Sequence, residues 1–386
     1  MKRVLVYNPT CEMAVQNNSV SYQPPLRLQE FERAMSSLMM FISQEGDYVV
    51  GEAPDDELLL FWKERGVYLP QFVSKNDAIS LIKDDAILIP WGGSRQLYYS
   101  YGLKHKSEQY TDLMRCFFSR EMSVVLEDTV CRLCQGRKDL KQYDIEEKSE
   151  LVTESDIMEC RVRKGNCVVK SLWSSSGRGV QLVREQCHIE PAIVWARGKI
   201  RHDGGVVCEP FYKRLGEFTT LIEIYEDGRI EYLGTNYFEA DEAGRFGKEL
   251  IGQKILTREE EQEVAQILMD AMLELHWVEE YTGKIGVDGM VYNDKHGERK
   301  VRICTEVNMR HTMGNINLSV ARCFSPKVKA TWQIEQFDNA MSWARFCKEM
   351  DSRFPLVLDD KNRIECGFFR LSSLGHNYGA WGIVQG

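Results

Sequence analysis

Residues 301–310 read Val301-Arg302-Ile303-Cys304-Thr305-Glu306-Val307-Asn308-Met309-Arg310, and this run decides how the rest of the chain is read. Its composition is that of a strand. Alternation puts Glu306, Asn308 and Arg310 on one face, while Thr305, Val307 and Met309 take the other. Ile303, Cys304 and Val307 mark the strand as at least half buried, so three polar groups on one face need partners. Asp288, 18 residues upstream of Glu306, opens a second strand in Gly286-Val287-Asp288-Gly289-Met290-Val291-Tyr292. Two carboxylates and an amide oxygen are hard ligands suited to magnesium, which takes one or two carboxylates and fills its shell from phosphates. Asp288, Glu306 and Asn308 are therefore the candidate metal ligands, and Arg310 beside them is placed to meet a phosphoryl oxygen. The plainer reading is a solvated, salt-bridged strand face, and the apolar neighbours count against it.

Two further features lie upstream. Val168-Val169-Lys170 is a strand ending in a cation, followed by the small, flexible loop Ser174-Ser175-Ser176-Gly177-Arg178-Gly179-Val180. Such a hairpin can fold over phosphates. Gly177 and Gly179 permit close backbone approach, free N–H groups and the hydroxyls of Ser175 and Ser176 donate, and Lys170 with Arg178 supplies charge. No GK[ST] opens a helix here, so it is not a Walker loop. A surface hairpin with turn-forming Ser and Gly fits the same residues equally well. The second feature is Val206-Val207-Cys208-Glu209-Pro210-Phe211, then Gly216-Glu217-Phe218-Thr219. An edge segment over residues 206–211 can offer backbone groups to an adenine edge, and Glu217 can accept from ribose hydroxyls. Taken alone, this stretch also reads as strand–loop–strand with an exposed Glu.

Around these features the chain divides into two regimes. In the first third, residues 4–7 and 86–89 are short buried strands, each ending at a turn signal, Asn8-Pro9 and Pro90-Trp91-Gly92-Gly93. Residues 26–42 carry apolar positions at helical spacing. Strands alternating with helices imply an open, mostly parallel sheet. No GxGxxG follows the first strand, so a dinucleotide site is not supported. A helical segment spans 108–135, and 136–150 is charged connection. Strand signals then crowd together at 167–170, 179–183, 206–209, 218–225 and 229–233. A helix follows over 257–280, with a capping box at Thr257 and Glu260. A last helical segment reaches about residue 350, before a short aromatic β stretch. Asn8-Pro9-Thr10-Cys11-Glu12-Met13 and Ser21-Tyr22-Gln23-Pro24-Pro25 are unusual segments, either turn-forming loops or the lining of a substrate pocket.

Bulk properties set the outer bounds. The chain has 386 residues, a formal net charge of −9, 43% hydrophobic and 28% charged residues, which fits two or three soluble folding units. An acidic balance speaks against a nucleic-acid partner. The apolar run before Asn8 is too short for a signal-peptide core, and no stretch has the apolar length of a membrane span. A cytoplasmic protein is expected. The 12 cysteines scatter through the chain, often inside apolar runs, as small core residues do in a reducing compartment. Cys131-x-x-Cys134 has no second CxxC and no His pair nearby, so helix packing is the better account than zinc.

Taken in order, the hairpin, the hinge with its carboxylate, Asp288 and the Glu-x-Asn run resemble the ATP-grasp superfamily over residues 116–325. That family carries a Lys before a Gly-rich hairpin, an adenine-binding hinge, a ribose carboxylate, and an acidic residue paired with a terminal Glu-x-Asn motif. Here these look like Lys170 with Ser174 to Gly179, Glu209 to Phe211, Glu217, and Asp288 with Glu306 and Asn308. Glu-Val-Asn-Met-Arg is close to the Glu-Ile-Asn-Pro-Arg form of the carboxylase and ligase branches. His311-Thr312-Met313-Gly314 stands where those enzymes place a Gly-containing turn beside the substrate. Members carry a further Lys before the central domain, for which only Arg120 and Lys138 are on offer. Lys248 sits about where D-alanine–D-alanine-type ligases place a phosphate-contacting Lys.

The resemblance implies an α/β chain, α+β in the ATP-grasp part. A Rossmann-like N-terminal domain would cover residues 1–115, and a two-lobed ATP-grasp module 116–345, with a lid-like hairpin subdomain about 155–210. Residues 346–386 would form a C-terminal extension packed on the core. It also implies ATP with two Mg2+ ions, and a ligase that activates a small-molecule carboxylate as an acylphosphate and joins it to an amine. Lys170 and Arg310 would be the catalytic cations. No nucleic acid or membrane is implied, and a homodimer is. A small-molecule kinase of the same fold and a non-catalytic nucleotide-binding protein remain the alternatives at this point.

Overall fold

The short apolar runs of the N-terminal third become parallel strands. β1 (Arg3–Val6), β2 (Tyr48–Val50), β3 (Gln71–Val73) and β4 (Ile87–Pro90) form a sheet in the order β3-β2-β1-β4, and every pairing is parallel. Helices Cys11–Asn17 and Leu26–Met35 connect β1 to β2, Asp56–Lys63 connects β2 to β3, and Lys75–Lys83 leads back to β4. Asp55 and Ser74 cap the last two by accepting from Leu58 N and Asp77 N. The helix expected over 26–42 is α-helical only to Met35. Ser36 donates its hydroxyl to Arg33 O at 2.9 Å, and the buried run Ser36–Ile42 tightens into a 3₁₀ helix.

The computed structural model describes residues 2–143, 145, 147–174, 179–241 and 246–385. Contacts divide the chain into two compact units, Met1–Tyr110 with Lys248–Gln253 and Thr312–Gly386, and Thr111–Gly247 with Lys254–His311. Residues 312–386 fall in the same compact unit as residues 1–110.

The second unit holds two antiparallel sheets. In the first, β5 (Glu150–Val152), β6 (Cys167–Ser171), β7 (Val180–Val183) and β8 (Val206–Pro210) run in the order β5-β8-β6-β7. Helices Ser155–Arg163 and Gln186–Asp203 bury Met158, Val162, Ile193 and Ala196 against Val169 and Val206. The other sheet contains β9 (Arg214–Ile224) and β10 (Ile230–Ala240). After them β11 (Phe246–Ile251) carries the chain across the boundary between the units. β12 (Gly283–Asn293) and β13 (Arg299–Asn308) then complete the order β13-β12-β9-β10. The helix Glu121–Cys134 packs on β13, and Arg258–Glu274, with its Thr257–Glu260 capping box, packs on β9 and β10. The helix expected over 257–280 breaks at His276, whose φ of 56° is left-handed, and resumes over Trp277–Glu280. Cys131 and Cys134 lie on the Glu121–Cys134 helix. Burial, then the nearby Glu127, pushes the Cys131 thiol up to about 12, which suits packing and not thiolate ligation.

The remainder of the first unit is also antiparallel. β14 (Lys329–Gln336), β15 (Val357–Leu358), β16 (Ile364–Arg370) and β17 (Tyr378–Gln385) run in the order β14-β17-β16-β15. Residues 249–251 of β11 pair with β14. The helix Ala340–Arg353 covers these strands with Trp343 fully buried. Among the described residues, no helix is long and apolar enough to cross a membrane.

Candidate active site

The register of β12 on β13 sets Asp288 directly opposite Glu306 and Gly286 opposite Asn308. On the other flank β9 sets Thr219 opposite Asp288. Two carboxylates facing each other across a ladder repel, so something must offset them. Asp288 accepts from Thr219 Oγ1 at 2.6 Å on one oxygen and from Asn308 Nδ2 at 3.1 Å on the other. Burial first, and the Glu306 charge second, still raise its carboxyl to about 7. Burial would raise Glu306 too, but Arg120, Lys170 and Arg310 outweigh it and hold that carboxyl below its ordinary range. Two neighbouring acids are thus pushed apart, one toward neutrality and one toward charge.

The strongest of those cations is Arg120, on the turn that leads into the Glu121–Cys134 helix. Its guanidinium reaches both Glu306 oxygens, at 3.0 and 3.2 Å. It also donates to Ser171 O and Ser174 Oγ, each at 2.7 Å, so it ties the β6–β7 hairpin to β13. Its Nε is buried without a partner among the described residues.

Lys170, at the end of β6, is buried and ion-paired to Glu209 at 2.7 Å, with a second bond to Thr305 O at 3.2 Å. Glu209 is shared with Arg302, which bonds Glu127 at 2.6 Å and Ser149 Oγ at 2.8 Å. Glu127, Arg302, Glu209 and Lys170 therefore form a buried chain of alternating charge from the Glu121–Cys134 helix to the hairpin. Burial disfavours the Arg302 charge, and Glu127 and Glu209 more than restore it. Glu217 accepts from Arg214 at 3.2 Å and from Ala240 N at 3.0 Å. Burial raises its carboxyl, against Arg214 and Lys170, and its charge is felt at Asp288. At Gly179 a Cβ would fall 2.6 Å from Ser174 Cβ, so a larger residue there would force Ser174 to shift.

Oxygen donors of this kind fit magnesium. Asp288, Glu306 and Asn308 are adjacent on paired strands, and their oxygens are held by Thr219, Arg120 and Arg310 in the places a cation would compete for. The suppressed ionisation of Asp288 is what a bound cation would reverse.

No family model matches the chain, and no curated relative matches it. Solved structures do. The biotin carboxylase domain dimer of Hydrogenobacter thermophilus 2-oxoglutarate carboxylase, in complex with MgADP, ADP and bicarbonate, aligns at a TM-score of 0.53 and 11% identity over 100% of this chain and 86% of that one. A variant of Rhizobium etli pyruvate carboxylase with the allosteric activator acetyl coenzyme-A aligns at 0.55 and 12% identity over 100% of this chain and 35% of that one. N5-carboxyaminoimidazole synthetase from Staphylococcus aureus aligns at 0.49 and 11% over 100% and 93%. This chain has the ATP-grasp fold.

Within the ATP-grasp fold several expected positions need correction. Arg310 is not on the β13 face, because the strand ends at Asn308. The Arg310 N–H turns back to Asn308 O at 2.9 Å, and its guanidinium meets Asn308 Oδ1 at 2.9 Å from the bend. Residues 206–208 are not an edge, since β5 pairs with them on one side and β6 on the other. Only Glu209 to Phe211 run past the end of β5, and the Phe211 N–H is already spent on Asn166 O at 2.9 Å. Glu209 is a buried ion-pair partner and not an exposed carboxylate. Pro210 closes β8, and the Phe211 ring lies 5.3 Å from the Arg184 guanidinium. Lys248 lies half-buried on β11 among residues of the first unit. Ser175, Ser176, Gly177 and Arg178 lie outside the described residues. Of Arg120 and Lys138, it is Arg120 that enters the cluster. Thr219, Glu127 and Arg302 carried no sequence signal of their own. Strand pairing and helix docking alone bring them in.

Proposed function

We propose that the chain is an ATP- and magnesium-dependent ligase that activates a small-molecule carboxylate as an acylphosphate and joins it to an amine. The observation that carries this reading is the convergence of Asp288, Glu306 and Asn308 with Arg120, Arg310 and Lys170 on one end of the β12–β13 ladder. Asp288, Glu306 and Asn308 would hold two magnesium ions, which neutralise charge on the β- and γ-phosphates when bound. Lys170, held by Glu209, supplies a fixed positive charge at the hairpin, where Ser175 to Gly179 would cover the phosphates. Glu209 to Phe211 would border the adenine and Glu217 the ribose.

In the first step a substrate carboxylate oxygen attacks the γ-phosphorus and ADP leaves, giving the acylphosphate. In the second, an amine attacks the acyl carbon, phosphate leaves, and the amine gives up a proton. Arg310 and Arg120 stabilise the charge that spreads over the transferring oxygens, so catalysis is positioning and electrostatics. No nucleic acid or membrane takes part in this reading. The test is phosphate release from MgATP with a panel of small carboxylates and amines. Release that needs both an acid and an amine is expected, and Asp288→Asn and Glu306→Gln, checked as folded by their melting transitions, should abolish it. Full turnover in both variants would refute the metal assignment, and a stable phosphorylated product formed without amine would refute the ligase step.

A further inference from the structure

The Rossmann-like sheet has its own crevice. The chain leaves β1 toward β2 on one side and returns to β4 on the other, and in such sheets ligands bind outside the carboxyl ends of the two strands at that switch. The loops there are tied together, Asn8 Nδ2 donating to Gly92 O at 2.8 Å. From the β1 loop, Thr10 sends both its N–H, at 3.3 Å, and its hydroxyl, at 2.5 Å, to one oxygen of Glu32 on the helix Leu26–Met35.

That arrangement is left incomplete. Glu32 has no basic partner among the described residues, and its second oxygen accepts nothing there. Burial raises its carboxyl against the two bonds from Thr10. Lys75 lies over the Tyr101 ring at 4.9 Å instead of pairing with it. The Tyr22 hydroxyl is buried without a partner and close enough to feel the Glu32 charge. Tyr101, after β4, feels it too. Asn18 Oδ1, four residues before Tyr22 in the same connection, is also buried and unpartnered.

A Thr–Glu bond made only for structure would not leave these groups over. The unmet groups are two acceptors, a carboxylate oxygen and an amide oxygen, and a phenol that can both accept and donate, and two aromatic rings stand beside the charge. The matching ligand is a cation that carries N–H donors. We propose that this crevice binds the primary ammonium group of a small amine or amino acid, with Glu32 as its counter-ion and Thr10 and Tyr22 fixing its approach. The proposal rests on the ligase reading only in making that molecule the amine substrate.

The test uses the full chain without nucleotide. Binding of glycine, D- and L-alanine, β-alanine and L-lysine is measured by ligand-observed NMR, each against its N-acetylated counterpart. At least one amine should bind, acetylation of the amine should weaken it about tenfold or more, and Glu32→Gln should do the same, with a several-fold loss in Tyr22→Phe. Should Glu32→Gln fail to fold, as judged by its melting temperature, the decision passes to Tyr22→Phe and to the acetylated ligands. Absence of amine binding by the wild type, equal binding of the acetylated forms, or competition by magnesium or potassium ions alone would overturn it. MgATP binding is measured in parallel. Its absence would sink the nucleotide reading and leave the amine result standing.

Discussion

Nucleotide-free metal binding should depend on pH through Asp288 and not through Glu306. Asp288 faces Glu306 across the β12–β13 ladder, and burial together with that charge raises its carboxyl to about 7. A magnesium ligand must be ionised, so binding below that value costs the release of a proton. At pH 6 about one molecule in eleven carries ionised Asp288, and at pH 8 about ten in eleven, from one pH unit either side of the pKa. Apparent metal affinity should therefore fall roughly tenfold from pH 8 to pH 6, equivalent to about 1.4 kcal/mol. Mn2+ titrations followed by water-proton relaxation measure this without the phosphate titration of ATP. Asp288→Asn should bind more weakly at pH 8 and show no such slope. The same shift has a stability consequence of opposite sense to the usual carboxylate. The native state holds the proton that the unfolded chain has lost, so this group's contribution falls as pH rises from about 4 toward 7. Equal Mn2+ affinity at pH 6 and pH 8, or an unchanged slope in Asp288→Asn, would refute the reasoning.

Three other outcomes follow from the same contacts. Thr219→Val removes the 2.6 Å bond that favours ionised Asp288, so the pH profile of Mn2+ binding should move upward by most of a unit, about 1 kcal/mol, and an unmoved profile would show that Thr219 is a packing residue only. Arg302→Met leaves Glu127 and Glu209 buried without their shared cation and should cost about 3–5 kcal/mol in urea unfolding. The double variant Arg302→Met/Glu127→Gln should recover much of that loss. Arg120→Ala uncovers both Glu306 oxygens and unties the β6–β7 hairpin. Its MgATP affinity should drop by tenfold or more, while Arg120→Lys, with one charge but no fork, should recover only part of it, by fluorescence titration.

The fold was legible in the sequence wherever a local rule governs it. Short apolar runs ended by Asn8-Pro9 and Pro90-Trp91 are parallel strands because buried parallel strands have no polar face to alternate. The helix that begins after Thr257 was readable because its capping box sits within one turn. The failures are places where tertiary contacts override the pattern. The 26–42 run keeps helical spacing throughout, yet Ser36 bonding back to Arg33 shifts it to 3₁₀ winding. At His276 nothing in the apolar stripe announces a left-handed residue. Ser155–Arg163 and Gln186–Asp203 went unread, the second because Pro191 stands inside it where a proline usually marks a boundary.

The site divides the same way. Asp288, Glu306 and Asn308 could be read because period-two alternation and a pair of strand signals are local facts, and the register then makes Asp288 and Glu306 cross-strand partners. Alternation could not say where β13 stops, so Arg310 was placed on a face that ends two residues earlier. What the sequence could not carry at all is the set of groups that make this face tolerable in a folded protein. Glu306 keeps its charge because Arg120, 186 positions away in the chain, crosses to it. Lys170 is fixed because Glu209 is held by Arg302, which is held in turn by Glu127, on four separate elements. Removing any internal member strands a charge beside the next. The hairpin cation and the metal-ligand pair are thus stabilised by the same docking of the Glu121–Cys134 helix, and a substitution at Glu127, remote from any phosphate, should be felt at Lys170.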